Sequence, residues 1–364
     1  MSGRLLVIAA GGTGGHMFPA QALAEAMLAR GWRVALSTDE RGLRYAGGFP
    51  AAVERRALSA ATFARGGMAA KAVAPLRIAK GVAEAWAWFG RAKPAAVAGF
   101  GGYPALPALA AAGLRGVPRL IHEQNGVLGR VNRAFASRVE AVACGVSPLV
   151  GAPSGARLVD IGNPVRAAAK AAAQAPYAPP GQGALNLLAF GGSQGASALS
   201  RLLPEMLAAL PEGFRARLKI TAQAREAEAA ALSAALGPAA EVAPFFADMP
   251  ERIAAAQLVI CRSGASTVAE LGVIGRPSIL IPFPAATADH QTANARPLAE
   301  AGAAILAPEA GLTGAALAGH VRAVLEDAAR AAAMAEAARR LGRPAADAAL
   351  ADLVERISEG KPPA

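Results

Sequence analysis

The chain has 364 residues, enough for two domains and a substantial buried core. Its two cysteines, Cys144 and Cys261, exclude a disulfide-stapled scaffold and supply no metal-ligand spacing, and no apolar segment reaches the ~18 residues of a membrane span. A net charge of +11 points to phosphate-bearing partners, or equally to a plain solvated basic surface; without zinc-finger spacing, a recognition helix or basic runs interleaved with aromatics it does not point to nucleic acid.

The start, "RLLVIAA" (4–10), reads as a strand and lacks the basic lead and long apolar core of a signal peptide, so a cytosolic chain is expected. A helix is expected near 19–30, closed by Gly31. Four more β-rich runs follow: "RVALST" (33–38), "AAVAGF" (95–100), "PRLIHEQ" (118–124) and "VEAVACG" (139–145). Strands alternating with helical stretches predict βαβ units and a parallel sheet. The Pro/Gly-rich "QAPYAPPGQGA" (174–184) predicts a loop at or near a domain boundary. Beyond it the pattern restarts with "LNLLAFGGSQGASAL" (185–199), and later strands are "QLVIC" (257–261) and "SILIPF" (278–283).

The restart echoes the opening. Gly11 pairs with Gly191, Gly12 with Gly192, Thr13 with Ser193 and Gly15 with Gly195, at a constant offset of 180. The expected fold is therefore α/β, with two similar doubly wound domains, each opening on a glycine-rich strand-to-helix turn. Such turns let backbone N–H groups approach a phosphate or sugar, and the helix N-terminus adds partial positive charge. Tight helix-on-strand packing accounts for one or two glycines, but not easily for two matching loops and "GFGGYPA" (99–105) as well. The dinucleotide pattern G-x-G-x-x-G fails in both loops, at Met17 and at Ser193, and no G-x-x-x-x-G-K-[ST] loop is present. Dehydrogenase and NTPase readings fall away. A nucleotide-linked donor on one domain and an acceptor on the other would suit what remains.

Seven segments occur in one order: "GGTGGHMFPA", "GFGGYPALPA", "IHEQNGVLGRVNR", "GNPVR", "FGGSQGA", "CRSGASTVAELGVIGRPSILIPFP" and "DHQTANA". Together they resemble the MurG family, the N-acetylglucosaminyltransferases of peptidoglycan synthesis. The resemblance covers nearly the whole chain. It implies the GT-B fold, two Rossmann-like domains facing across a cleft, here residues 1–163 with about 343–364 and residues 164–342. It implies an inverting transfer of GlcNAc from UDP-GlcNAc to the C4 hydroxyl of undecaprenyl-linked MurNAc-pentapeptide. UDP-GlcNAc is then a substrate, and no cofactor or metal is expected. Other wall-synthesis proteins are expected partners, and nucleic acid is not.

The resemblance also implies site residues. Ser193 would bond the donor's phosphate or uridine, though serine also suits a helix cap. Glu270 would accept from the paired ribose hydroxyls; helix-dipole compensation is its plainer role. Ala265, Ser266 and Thr267 would offer backbone N–H groups, and Thr267 a hydroxyl. Arg166 would bridge diphosphate oxygens, with Arg262 in a similar or merely supporting part. Asn125 and Gln291 carry amides suited to sugar hydroxyls, and His290 stands beside the second. Thr13, Gly14, Gly15, Gly101, Gly102 and Tyr103 would face the acceptor's diphosphate and sugar. His16, with a reference pKa of ~6.5, is the candidate general base or an orienting group, Glu123 its candidate assistant, and His122 a structural histidine.

A lipid-linked acceptor requires access to a membrane. In "APLRIAKGVAEAWAWFGR" (74–91), helical spacing puts Ile78, Val82, Trp86, Trp88 and Phe89 on one face and Arg77, Lys80, Glu84 and Arg91 on the other, with Pro75 at a first helical position. The pattern fits a sheet-covering helix. It also fits peripheral attachment to an anionic membrane surface on the cytoplasmic side. Rivals to the wall transferase are another GT-B transferase or a UDP-GlcNAc 2-epimerase, a nucleotide-sugar-binding module without turnover, and a basic nucleic-acid-binding protein.

Overall fold

The computed structural model describes residues 3–11, 14–44, 46–61, 68–191 and 197–363. They form two compact units, 1–166 with 344–364, and 167–343. The division falls after Arg166 rather than after Asn163. "QAPYAPPGQGA" therefore lies inside the second unit, where Tyr177 packs on the core and donates its hydroxyl to Gln257 O at 2.8 Å.

The first unit is built on β1 (Leu5–Ala9), β2 (Arg33–Thr38), β3 (Glu54–Ala57), β4 (Ala96–Gly99), β5 (Arg119–Glu123), β6 (Ala141–Cys144) and β7 (Leu158–Asp160). All pair in parallel, in the order β3-β2-β1-β4-β5-β6-β7, with Leu6 of β1 level with Val34 and Ala96. Three of its helices are α1 (Gly14–Ala29), α2 (Met68–Ala92) and α3 (Leu106–Leu114). α1 begins five residues earlier than expected, so Gly14, Gly15 and His16 form its first turn, and α2 begins at Met68, leaving Pro75 in its interior.

The second unit repeats the plan with β8 (Leu185–Phe190), β9 (Leu218–Gln223), β10 (Glu241–Ala243), β11 (Leu258–Cys261), β12 (Ser278–Leu280) and β13 (Ala304–Leu306), ordered β10-β9-β8-β11-β12-β13 and again all parallel. Its helices include α4 (Ser197–Ala209), α5 (Ala265–Ile274), α6 (His290–Glu300) and α7 (Ala328–Leu341); α8 (Ala346–Ser358) returns to the first unit. Both sheets reverse strand order beside their first strand. That is the switch point at which doubly wound sheets bind ligands, outside the carboxyl ends of the strands.

Strand alternation decides which layer each residue meets. Leu6 and Ile8 pack with Leu23 and Met27 of α1 and with Leu350, Leu353, Val354 and Ile357 of α8. Leu5, Val7 and Ala9 face α2 and α3 through Trp88, Phe89 and Leu109. α8 is clamped at its polar edge, where Arg30 Nη1 lies 2.7 Å from both Asp352 and Glu355, and Trp32 Nε1 donates to Glu355 at 3.2 Å.

The face expected to meet a membrane divides on this packing. Trp88 and Phe89 are core residues, and Val82 packs against the same core. The membrane role expected of Phe89 is thus corrected: its ring covers the sheet, the burial of a large aromatic being worth roughly 1.5–3 kcal/mol. Ile78 is half-buried, whereas Trp86 is 47% exposed. Also exposed are Val73, Leu76, Arg77 and Lys80 on α2 and Leu114 at the end of α3. The Arg115 guanidinium lies 3.9 Å from the Trp86 ring centroid and its Nε donates to Trp86 O.

Candidate active site

In the first unit the carboxyl ends of β1, β4 and β5 converge on His16. α1 carries it in its first turn, half-buried. Its Nδ1 lies 2.6 Å from Phe100 O and 2.8 Å from the side-chain amide nitrogen of Gln124. "GFGG" permits this approach. Gly101 and Gly102 adopt φ of +82° and +71°, and a Cβ on Gly101 would stand 3.3 Å from His16 Cε1. Tyr103 follows, half-buried, at the start of a short 3₁₀ turn leading into α3.

His122, one strand position before Glu123, is fully buried and stacks 5.3 Å from the Phe100 ring. Burial pushes its pKa down to about 4, with the charge of His16 adding to the effect and a Gly162 backbone contact offsetting part of it. It is neutral at physiological pH, in keeping with a structural role.

Glu123 does not assist His16. Its Oε1 accepts from the Asn125 backbone N–H (3.1 Å) and side-chain amide (3.2 Å), and its Oε2 from Gly129 N–H (2.9 Å) and Asn132 Nδ2 (2.9 Å). Four donors hold a carboxylate that is 2% exposed. Its work is to fold the loop that presents Asn125, and the catalytic part expected of it is corrected accordingly. Strand alternation explains this: His122 and Gln124 point to the α1 layer, Glu123 to the other.

Arg166 closes the first unit and lies 5.3 Å over the ring of Phe18, which is 41% exposed on α1 two residues beyond His16. Gly14 and Gly15 lie in the same helical turn as His16. Thr13 lies outside the described residues, as does Ser193 in the second glycine turn.

In the second unit β11 leads through Arg262, Ser263 and Gly264 into α5. Gly264 is the extended N-cap, so Ala265, Ser266 and Thr267 supply the first N–H groups of the helix, Ser266 and Thr267 half-buried. Glu270 follows on α5, 6% exposed. Arg262 is committed to the fold. Its Nη1 donates to Ile281 O (3.2 Å) and Pro282 O (3.0 Å), and its Nη2 lies 2.5 Å from Glu309. Of the two parts expected of it, donor contact or support, these bonds fit the supporting one and not the donor contact. Gln291 Oε1 accepts from Phe283 N–H at 2.9 Å, which turns the amide nitrogen into the part of that side chain suited to a ligand. His290 is tied through Nδ1 to Thr287 O at 2.8 Å, in a turn where Ala288 and Asp289 hold φ of +52° and +50°.

Gln124, Asn132, Asn294 and Phe18 escaped the sequence reading. Asn294 is fully buried and donates to Ser263 O at 3.1 Å, anchoring the start of α5 to α6. Phe245, in the loop after β10, is 74% exposed and presents a flat apolar ring at the carboxyl side of the second sheet.

Known proteins fit this geometry. The N-terminal domain of glycosyltransferase family 28 matches residues 6–144, and its C-terminal domain matches 186–357. A UDP-N-acetylglucosamine--N-acetylmuramyl-(pentapeptide) pyrophosphoryl-undecaprenol N-acetylglucosamine transferase of Caulobacter vibrioides (strain NA1000 / CB15N) is 51% identical over 98% of this chain and 99% of its own. The chain belongs to the MurG family. A transferase of the same name from Chelativorans sp. (strain BNC1) is 48% identical over 99% of this chain and 97% of its own. The crystal structure of Acinetobacter baumannii MurG superposes with a TM-score of 0.79 at 31% identity, covering 97% of this chain and 99% of that one. The two parallel sheets are the doubly wound pair expected from the 180-residue echo, and the match to MurG bears out the GT-B fold that the resemblance implied.

Proposed function

We infer that this chain transfers N-acetylglucosamine from UDP-N-acetylglucosamine to lipid-linked N-acetylmuramyl-pentapeptide, a step of peptidoglycan synthesis. The observation that carries this is 51% identity over nearly the full length of a transferase so named. The step is an inverting displacement. The C4 hydroxyl of N-acetylmuramic acid attacks C1 of the donor sugar, and its proton passes to His16. The bond from C1 to the diphosphate oxygen breaks with its electron pair, and UDP leaves.

Charge grows on the leaving diphosphate through a transition state with oxocarbenium character. The N–H groups opening α5 and the Arg166 guanidinium supply the opposing charge, without a bound metal. Glu270 accepts from the ribose hydroxyls. Asn125, held by Glu123, and the amide nitrogen of Gln291 address the sugar. Gly14, Gly15, Gly101, Gly102 and Tyr103 line the acceptor's side of His16.

The enzyme works at the cytoplasmic face of the membrane. The support is that α2 exposes apolar Val73, Leu76 and Trp86 and cationic Arg77 and Lys80, with Arg115 over the Trp86 ring, side chains suited to anionic headgroups. Among the described residues no helix is long and apolar enough to cross a membrane. Salt-sensitive flotation with anionic liposomes, weakened in Trp86→Ala, is the expected result; no association at low salt would remove this part of the reading.

The activity is tested by UDP release from UDP-N-acetylglucosamine with and without the lipid-linked acceptor. Acceptor-dependent release is expected. Tight UDP binding without such release would refute the assignment, and conversion of the donor alone would point to an epimerase.

A further inference from the structure

We propose that Gln124 is the positioning residue of the catalytic base: it and Phe100 O share the proton on His16 Nδ1, which leaves Nε2 to receive the proton of the attacking hydroxyl. The proposal rests on His16 as the base and adds which nitrogen acts and what fixes it.

The 2.6 Å contact between His16 Nδ1 and Phe100 O decides the tautomer. A carbonyl oxygen only accepts, so the hydrogen must sit on Nδ1, and in the neutral ring Nε2 then carries the lone pair. Gln124 reaches the same nitrogen at 2.8 Å. An amide NH2 turned toward Nδ1–H would set donor against donor and leave the buried Gln124 Oε1 without a hydrogen-bond partner. A half-turn of the carboxamide removes the donor–donor conflict, because Oε1 then accepts from Nδ1–H, and it places the NH2 where the unpartnered oxygen stood. When Nε2 takes up a proton, the imidazolium meets two oxygen acceptors on its far side. A group that orients a histidine in this way also stabilises its cation.

Gln124 is built for the task. It is 4% exposed, and its backbone carbonyl accepts from Asn163 Nδ2 at 2.8 Å, Asn163 itself being 5% exposed. Strand alternation aims its side chain at α1, where His16 stands. The titratable groups on the surrounding elements do not compete for the part. His122 on β5 is held neutral, its pKa pushed down to about 4 by burial. Glu123 on β5 is turned to Asn125, Gly129 and Asn132. Tyr103 follows Gly102 in the loop after β4, and Arg166 lies over Phe18.

The first test reads the unsubstituted protein. In ¹⁵N-histidine-labelled protein above the titration of His16, with its signal assigned through His16→Gln, Nδ1 should be the protonated nitrogen and Nε2 the bare one. Protonated Nε2 would overturn the proposal. The second test is kinetic. Gln124→Leu removes an acceptor from the imidazolium, so the acid limb of the kcat/KM profile should move to lower pH, with kcat down about 10- to 100-fold and KM for UDP-N-acetylglucosamine nearly unchanged. Gln124→Glu places an anion beside Nδ1–H and should move the limb to higher pH. Opposite shifts in two folded variants are not produced by a general structural defect; a limb that stays put in both would overturn the proposal. Full turnover by His16→Gln would instead remove His16 as the base and leave the tautomer result standing.

Discussion

At the carboxyl end of the first sheet, side chains do the arranging: His16, Gln124, Glu123, Asn125 and Asn132 are joined by hydrogen bonds that fix one imidazole and one loop. At the same end of the second sheet the backbone leads. Gly264 opens α5, Ser266 and Thr267 stay half-exposed, and the buried polar groups Arg262 and Asn294 hold the loop from behind. On the proposed reading, one strand order serves two chemistries. Proton transfer needs a side chain with a tuned lone pair, whereas a diphosphate needs an array of N–H groups and a helix dipole.

The sharpest way to break this contrast is at His16. His16→Gln should lower kcat by about 10²- to 10⁴-fold while UDP affinity, measured by calorimetry, stays within a factor of two or so of wild type. Next come the neighbours on α2. Phe89→Ala should cost about 3–5 kcal/mol in urea unfolding, and Trp86→Ala within about 0.5 kcal/mol, because only the first lies in the core. The buried His122 gives the first unit a pH signature. Its folded pKa is depressed, so its stability contribution is complete above about pH 6.5. As pH falls toward 4 the unfolded chain gains a proton that the folded chain refuses. Up to about 3 kcal/mol should be lost over that window, and the slope should flatten in His122→Gln. In the second unit, Glu270→Ala should raise KM for UDP-N-acetylglucosamine about 10- to 100-fold through lost charged hydrogen bonds. Smallest is Ala288→Gly in the strained turn before α6, which should raise Tm by relieving up to about 1 kcal/mol of left-handed strain.

Much of the fold was legible because buried parallel strands are continuous apolar runs: β2 and β8 coincide with "RVALST" and "LNLLAF". β3 ("ERRA") and β7 ("LVD") went unread, being short, charged edge strands without an apolar pattern. The start of α1 was hidden because Gly14, Gly15 and His16 read as loop, although the backbone winds them into helix. The site was legible as a set of motifs, not as a network. Glu123 and Gln124 are equally polar neighbours, and only strand alternation separates the loop organiser from the residue that reaches His16. Arg262 shows the same limit. An arginine beside a glycine turn suits a phosphate, and nothing local foretells Glu309, distant in sequence, as its partner.

The division of labour is tested most directly by measuring UDP affinity and acceptor-dependent UDP release side by side for His16→Gln and Glu270→Ala. The account predicts that His16→Gln binds UDP like wild type and scarcely releases it from the donor, while Glu270→Ala loses UDP affinity. A His16→Gln enzyme that turns over normally, or a Glu270→Ala enzyme with intact UDP affinity, would contradict it.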